Sequence, residues 1–136
     1  MNTLIIADDA EVKNTIKQAI CELGLGCTIF ETSSPKEALK LMKSDRMPIV
    51  FSEVDMRQMN GLSFVETHKR AFPGTCWLVI SASKNFYDIK KAIELGIIDY
   101  LLKPVDGSEL RDVLKNRVVE KTNRYAGNPH TCAACH

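Results

Sequence analysis

Two rhythms of apolar residues alternate along this chain. Five short runs, residues 3–7, 27–31, 49–52, 76–81 and 99–102, have the composition of strands. The stretches between them carry apolar positions every three or four residues, the period of an amphipathic helix. The first run is nearly all apolar, as in a strand covered on both faces. The first helix is predicted over 10–23, with Val12, Ile16, Ala19, Ile20 and Leu23 on one stripe and Gly24 and Gly26 ending it. Ser34-Pro35-Lys36-Glu37 is a capping-box pattern with proline at the first helical position, and opens a second helix reaching about residue 43. Pro48 breaks the chain before the third strand. A loop over 53–60 leads to a third helix, about 61–72, closed by Pro73-Gly74. A fourth helix is predicted over about 84–95, with Phe86, Ile89 and Ile93 facing inward and Gly96 as its stop. A fifth begins near Ser108, with a candidate cap there, and turns Leu110, Val113, Leu114 and Val118 inward. From about Thr122 the sequence turns polar and loses its period. The pattern therefore predicts one domain over 1–121 and a flexible tail over 122–136.

Strand and helix alternate five times, which predicts an α/β fold: an open, doubly wound parallel sheet in three layers with helices on both faces. Ligands of such sheets bind beyond the carboxyl ends of the strands. The 136 residues suffice for one hydrophobic core. A formal net charge of +1 gives no long-range attraction to nucleic acid or an anionic membrane, so neither is expected as a partner. No apolar run approaches the roughly 20 residues that span a bilayer. The N-terminus has no basic segment and its apolar stretch stops at Asp8 and Asp9, so the cytoplasm is the expected location. Cys21, Cys27 and Cys76 stand among apolar neighbours and are read as small buried residues.

The predicted strand ends carry a specific set of side chains. Asp8 and Asp9 follow the first strand, Glu53 and Asp55 the third, Ser81 the fourth, and Lys103-Pro104 the fifth. Converging carboxylates repel: two unit charges 4 Å apart interact by about 4 kcal/mol at a surface-like dielectric. A Mg²⁺ ion, which takes oxygen ligands, or the Lys103 ammonium would compensate. Ser81 offers a hydroxyl to an anionic oxygen.

Four segments, Leu4-Ile5-Ile6-Ala7-Asp8-Asp9, Met59-Asn60-Gly61-Leu62, Val79-Ile80-Ser81-Ala82 and Asp99-Tyr100-Leu101-Leu102-Lys103-Pro104, stand in the order and spacing of a known family. Through them residues 2–121 resemble the receiver domain of two-component response regulators. The resemblance implies a flavodoxin-like sheet of strand order 2-1-3-4-5. It implies Asp8 and Asp9 as the acid pair of a metal site, Ser81 as the switch hydroxyl, Tyr100 as the aromatic switch and Lys103 as the phosphoryl-sensing lysine, followed by a cis bond to Pro104. Output would pass to a sensor kinase, a downstream effector or a second copy through the face of the fourth helix, fifth strand and fifth helix, which carries Lys90, Lys91, Glu94, Asp99, Tyr100, Arg111 and Asp112.

Two positions depart from the family. The phosphorylated aspartate stands eight residues before the glycine of Met59-Asn60-Gly61, and that position is Glu53; the usual proline four residues after it is Arg57. Glutamate carries its carboxylate about 1.5 Å further out, and a misplacement of about 1 Å costs in-line transfer on the order of 100-fold. The expectation is a stand-alone atypical receiver that is no enzyme, at most a vestigial phosphoacceptor. Glu53 would pair with Lys103 or bond Ser81, mimicking the phosphorylated state, or would leave an inert scaffold. Mg²⁺ binding through Asp8, Asp9, Glu53 and the Asp55 backbone is expected to be weak. Phosphorylation at Asp55 or Ser52 is the competing reading. A flavodoxin is disfavoured, because Ala7-Asp8-Asp9-Ala10 would repel a flavin phosphate. A third class rests on the tail: Cys132-Ala133-Ala134-Cys135-His136 has the spacing of c-type haem attachment, and with His130 offers zinc or redox chemistry. Haem and zinc are disfavoured in a cytoplasmic signalling chain, and the tail is expected to be unliganded.

Overall fold

In the computed structural model, residues 2–24 and 26–119 are described. Five strands, β1 (Asn2–Ile6), β2 (Thr28–Thr32), β3 (Ile49–Glu53), β4 (Cys76–Ser81) and β5 (Asp99–Leu102), form one parallel sheet in the order β2-β1-β3-β4-β5. The helices between and after them are α1 (Ala10–Leu23), α2 (Pro35–Ser44), α3 (Gly61–His68), α4 (Phe86–Glu94) and α5 (Gly107–Val113). This is the three-layered, doubly wound α/β architecture expected from the pattern, in the flavodoxin-like strand order that the resemblance implies. Among the described residues no helix is long and apolar enough to cross a membrane.

Side chains alternate across a strand, so each strand feeds two cores. Ile5, Phe51, Leu78, Ile80 and Leu101 point to the layer of α1 and α5, against Val12, Ile16, Ile20, Leu110 and Leu114. Leu4, Ile6, Val50, Trp77 and Val79 point to the other layer, against Ala38, Met42, Leu62, Phe64, Val65 and Ala92. Helix starts are capped by side chains: Asp9 for α1, Ser34 for α2, Asn60 for α3, Asn85 for α4 and Asp106 for α5. α1 ends at Gly24, whose φ of 62° is the left-handed conformation that favours glycine.

Several boundaries differ from the sequence expectation. β1 begins and ends one residue earlier than predicted, and β2 begins and ends one residue later. α3 ends at His68 and tightens into a 3₁₀ turn over Lys69–Ala71. The fifth helix is capped by Asp106 rather than at Ser108, and widens into π-helical turns over Leu114–Val119. β3 extends one residue further than the pattern predicts, to Glu53.

Two burial expectations are corrected. Phe86 and Ile93 of α4 are 69% and 73% exposed. They lie seven residues apart on one stripe, and the helix instead turns Ala92 into the core, with Leu95 just beyond its end packed beside it. The small Ala92 lets α4 lie close to the sheet, which leaves the larger residue a third of a turn away in water. Cys21 is also exposed, because it stands one step off the Ile16–Ile20 stripe; Cys27 is half-buried and Cys76 buried. This orientation is testable by urea denaturation. Ile93→Ala should change stability by less than about 0.5 kcal/mol. Ala92→Leu should destabilise by about 1–3 kcal/mol through overpacking.

Candidate functional site

The carboxyl ends of β1, β3, β4 and β5 bring the predicted set to one rim of the sheet. Glu53 is the last residue of β3 and only 2% exposed. It stands two positions beyond Phe51, so the pleat sends its side chain to the α1/α5 side. Lys103 stands two residues beyond Leu101 and follows the same parity. The two meet: Lys103 Nζ lies 2.5 Å from Glu53 Oε2 and 3.4 Å from Asp9 Oδ2. The other Glu53 oxygen, Oε1, accepts from the backbone N–H of Asp8 at 2.6 Å and of Asp9 at 2.9 Å. Both oxygens of this buried carboxylate are therefore taken by donors of the protein. The Lys103–Pro104 peptide bond is cis.

Asp9 is equally committed. Its Oδ1 caps α1, accepting from Glu11 N–H at 2.9 Å and Val12 N–H at 3.4 Å, and its Oδ2 faces Lys103. Asp8 is exposed and accepts from the backbone N–H of Arg57 at 2.9 Å.

Ser81 and Tyr100 lie on the opposite side. Ser81 shares the parity of Trp77 and Val79, and Tyr100 packs with that core. The Ser81 hydroxyl donates weakly to Asp55 Oδ2 at 3.4 Å and accepts from Ser83 N–H at 3.0 Å. The Tyr100 hydroxyl donates to the Ser83 carbonyl at 3.0 Å. Of the two partners foreseen for Glu53, the lysine is engaged and the Ser81 hydroxyl is held by Asp55 and Ser83 instead.

Backbone packing fixes where Glu53 sits. A Cβ at Gly61 would lie 2.0 Å from the Glu53 carbonyl oxygen, so only glycine allows the start of α3 to close on β3. Gly61 N–H also donates to Val54 O at 2.8 Å. Neither the bond from the Arg57 amide nor the close approach at Gly61 follows from the sequence pattern. The absence of proline at position 57, which restores an N–H, was the available signal for the first. Cys132, Cys135, His130 and His136 lie outside the described residues.

Residues 3–115 match the response regulator receiver domain. The chain belongs to that family. Among curated relatives, the receiver resembles the regulator of RpoS of Escherichia coli K12, 33% identical over 112 residues, covering 82% of this chain and 33% of the relative. It resembles the DNA-binding transcriptional regulator NtrC of Proteus hauseri, 26% identical over 117 residues, covering 86% and 24%. The chain thus spans about a quarter to a third of these relatives. Two solved structures share the fold. One is the signal receiver domain of an HD domain-containing protein from Pseudomonas fluorescens Pf-5, with TM-score 0.80, 23% identity and coverage of 92% and 91%. The other is a CheY-like receiver from Methanospirillum hungatei JF-1, with TM-score 0.79, 18% identity and coverage of 90% and 97%.

Receiver domains bind Mg²⁺ at the phosphorylation site. The donor set here fits that ion poorly. Mg²⁺ demands oxygen ligands in a near-octahedral shell, whereas both Glu53 oxygens, both Asp9 oxygens and one Asp8 oxygen already serve protein donors, one of them an ammonium. Among the described residues no group of three His, Cys, Asp or Glu side chains is arranged to hold a metal.

The cluster has a pH signature. Burial pulls the Lys103 ammonium down, but the hydrogen bond and charge of Glu53, then those of Asp9, outweigh it and hold it above the ordinary 10.5. A raised folded-state pKa contributes stability in full below pH 10.5 and loses it as pH rises through the raised value. For Asp9, burial works upward, but the amides of Val12 and Glu11 and then Lys103 bring the carboxyl below its ordinary 3.8. That contribution is present above pH 3.8 and lost as pH falls through the lowered value. Lys103→Met removes the counter-charge of Glu53. Because Lys103 is 26% exposed, the expected cost near neutral pH is about 1–3 kcal/mol, below the figure for a fully buried broken pair. Denaturant titrations should show the difference between wild type and variant shrinking above pH 10.5.

Proposed function

We propose that this receiver domain signals by protein contact without aspartyl phosphorylation, with Glu53 as a resident charge in the acceptor pocket. The observation that carries the reading is the closed environment of Glu53: one oxygen on Lys103 at 2.5 Å, the other on two backbone amides. Phosphoryl transfer depends on positioning and charge stabilisation. A nucleophilic oxygen must be free to attack in line, and neither oxygen of Glu53 is. The phosphoryl-sensing lysine already has the anion that phosphorylation would bring. On this reading Glu53 mimics the lysine side of the phosphorylated state. The hydroxyl side, where Ser81 bonds Asp55 and Ser83, is left to partner binding.

The proposed contact surface is the face of α4, β5 and α5, for a kinase, an effector or a second copy. Three charges of this face are paired within the domain: Lys91 with Glu66, Asp99 with Arg117, and Arg111 with Glu22. Phe86, Tyr87, Ile93 and Leu102 remain as exposed apolar groups beside them. Exposed surface ion pairs contribute little, whereas aromatic groups are enriched among the anchors of interfaces.

Incubation with acetyl phosphate and Mg²⁺, followed by intact-mass and peptide mass spectrometry, tests the reading. No stable phosphoryl gain is expected. A gain located at Glu53, Asp55 or Ser52 would overturn it.

A further inference from the structure

The second departure from the family, at position 57, forms part of the same cluster. Arg57 is exposed, and its backbone N–H donates to Asp8 Oδ2 at 2.9 Å, across 49 residues of chain. Proline has no N–H to give. We infer that Arg57 is a positioning residue whose main-chain amide, rather than its guanidinium, holds Asp8 Oδ2 and turns that oxygen from cation coordination, adding to the constraint set by Glu53. This rests on the reading of Glu53 given above and assigns it a partner.

The hydrogen bonds in the cluster engage both oxygens of Glu53, both of Asp9 and Oδ2 of Asp8. Glu53 serves Lys103 and the amides of Asp8 and Asp9; Asp9 serves Glu11, Val12 and Lys103; Asp8 serves Arg57. A cation at this rim that takes Asp8 Oδ2 must draw it away from the Arg57 amide as well as separate Glu53 from Lys103. Shortening residue 53 releases only the second constraint. With Glu53→Asp alone, Asp8 still has its amide donor, so the cation site is only half restored. Removing the residue 57 N–H as well frees Asp8 Oδ2 for a metal.

Mg²⁺ binding at equilibrium, read by isothermal titration calorimetry on the whole chain, separates these effects without any phosphoryl donor. Glu53→Asp is compared with Glu53→Asp/Arg57→Pro and Glu53→Asp/Arg57→Ala. The proline variant should bind Mg²⁺ about three- to tenfold more tightly than Glu53→Asp, the worth of one competing hydrogen bond. The alanine variant keeps the amide and should match Glu53→Asp. Circular dichroism checks folding. Should proline prevent folding, a main-chain ester at position 57 that retains the arginine side chain removes the same N–H and should give the same tightening. Equal tightening by alanine and proline would assign the effect to the guanidinium charge and overturn the inference. No tightening by proline or ester would overturn it as well. Because the reading of Glu53 fails on acetyl phosphate labelling of the wild type, the two failures are distinguishable.

Discussion

One ion pair organises the functional rim of this domain: the contact of Lys103 with the buried carboxylate of Glu53. A carboxylate at 2% exposure is costly unless its charge and lone pairs are met. Lys103 meets the charge, and the amides of Asp8 and Asp9 meet the second oxygen. The turn after β1, the end of β3 and the segment after β5 are thereby tied to one group. Asp9 extends the link into α1 by capping its first turn. Breaking the pair would expose three strand ends to uncompensated negative charge.

The pleat of the sheet decides which side chains can join. Glu53 and Lys103 share the α1/α5 layer, while Ser81 and Tyr100 share the layer of α3 and α4. On the proposed reading, the loop after β4 connects the Ser81 hydroxyl to the tyrosine. Ser83 stands on that route, with its N–H on Ser81 and its carbonyl holding Tyr100. A longer acid alone does not recruit the hydroxyl, because its extra reach is spent toward α1. Position 53 thus engages Lys103 and not Ser81, whose hydroxyl bonds Asp55 and Ser83.

Much of this was legible in the residues. The alternation of five strand-like runs with helical periods implied the doubly wound sheet, and the family motifs implied its order. The set at the strand ends was visible because each member terminates its own strand. The orientation of α4 was not visible: Phe86, Ile89 and Ile93 form a plausible inward stripe, and only the close approach allowed by Ala92 selects the other one. The partition of Glu53 from Ser81 could have been read from strand parity, counting from Phe51 and Val79. The Arg57 bond depends on a loop conformation for which the chain has no periodic signal, so only the missing proline pointed toward it.

The clamp on the acceptor pocket is tested most directly by a double-mutant cycle on Glu53→Gln and Lys103→Met, with unfolding free energies measured at neutral pH. Directly paired, partly buried charges should couple by about 1 kcal/mol or more. Additive effects, with a coupling under about 0.3 kcal/mol, would mean that the two groups do not hold each other, and the pocket would have no resident counter-ion for its lysine.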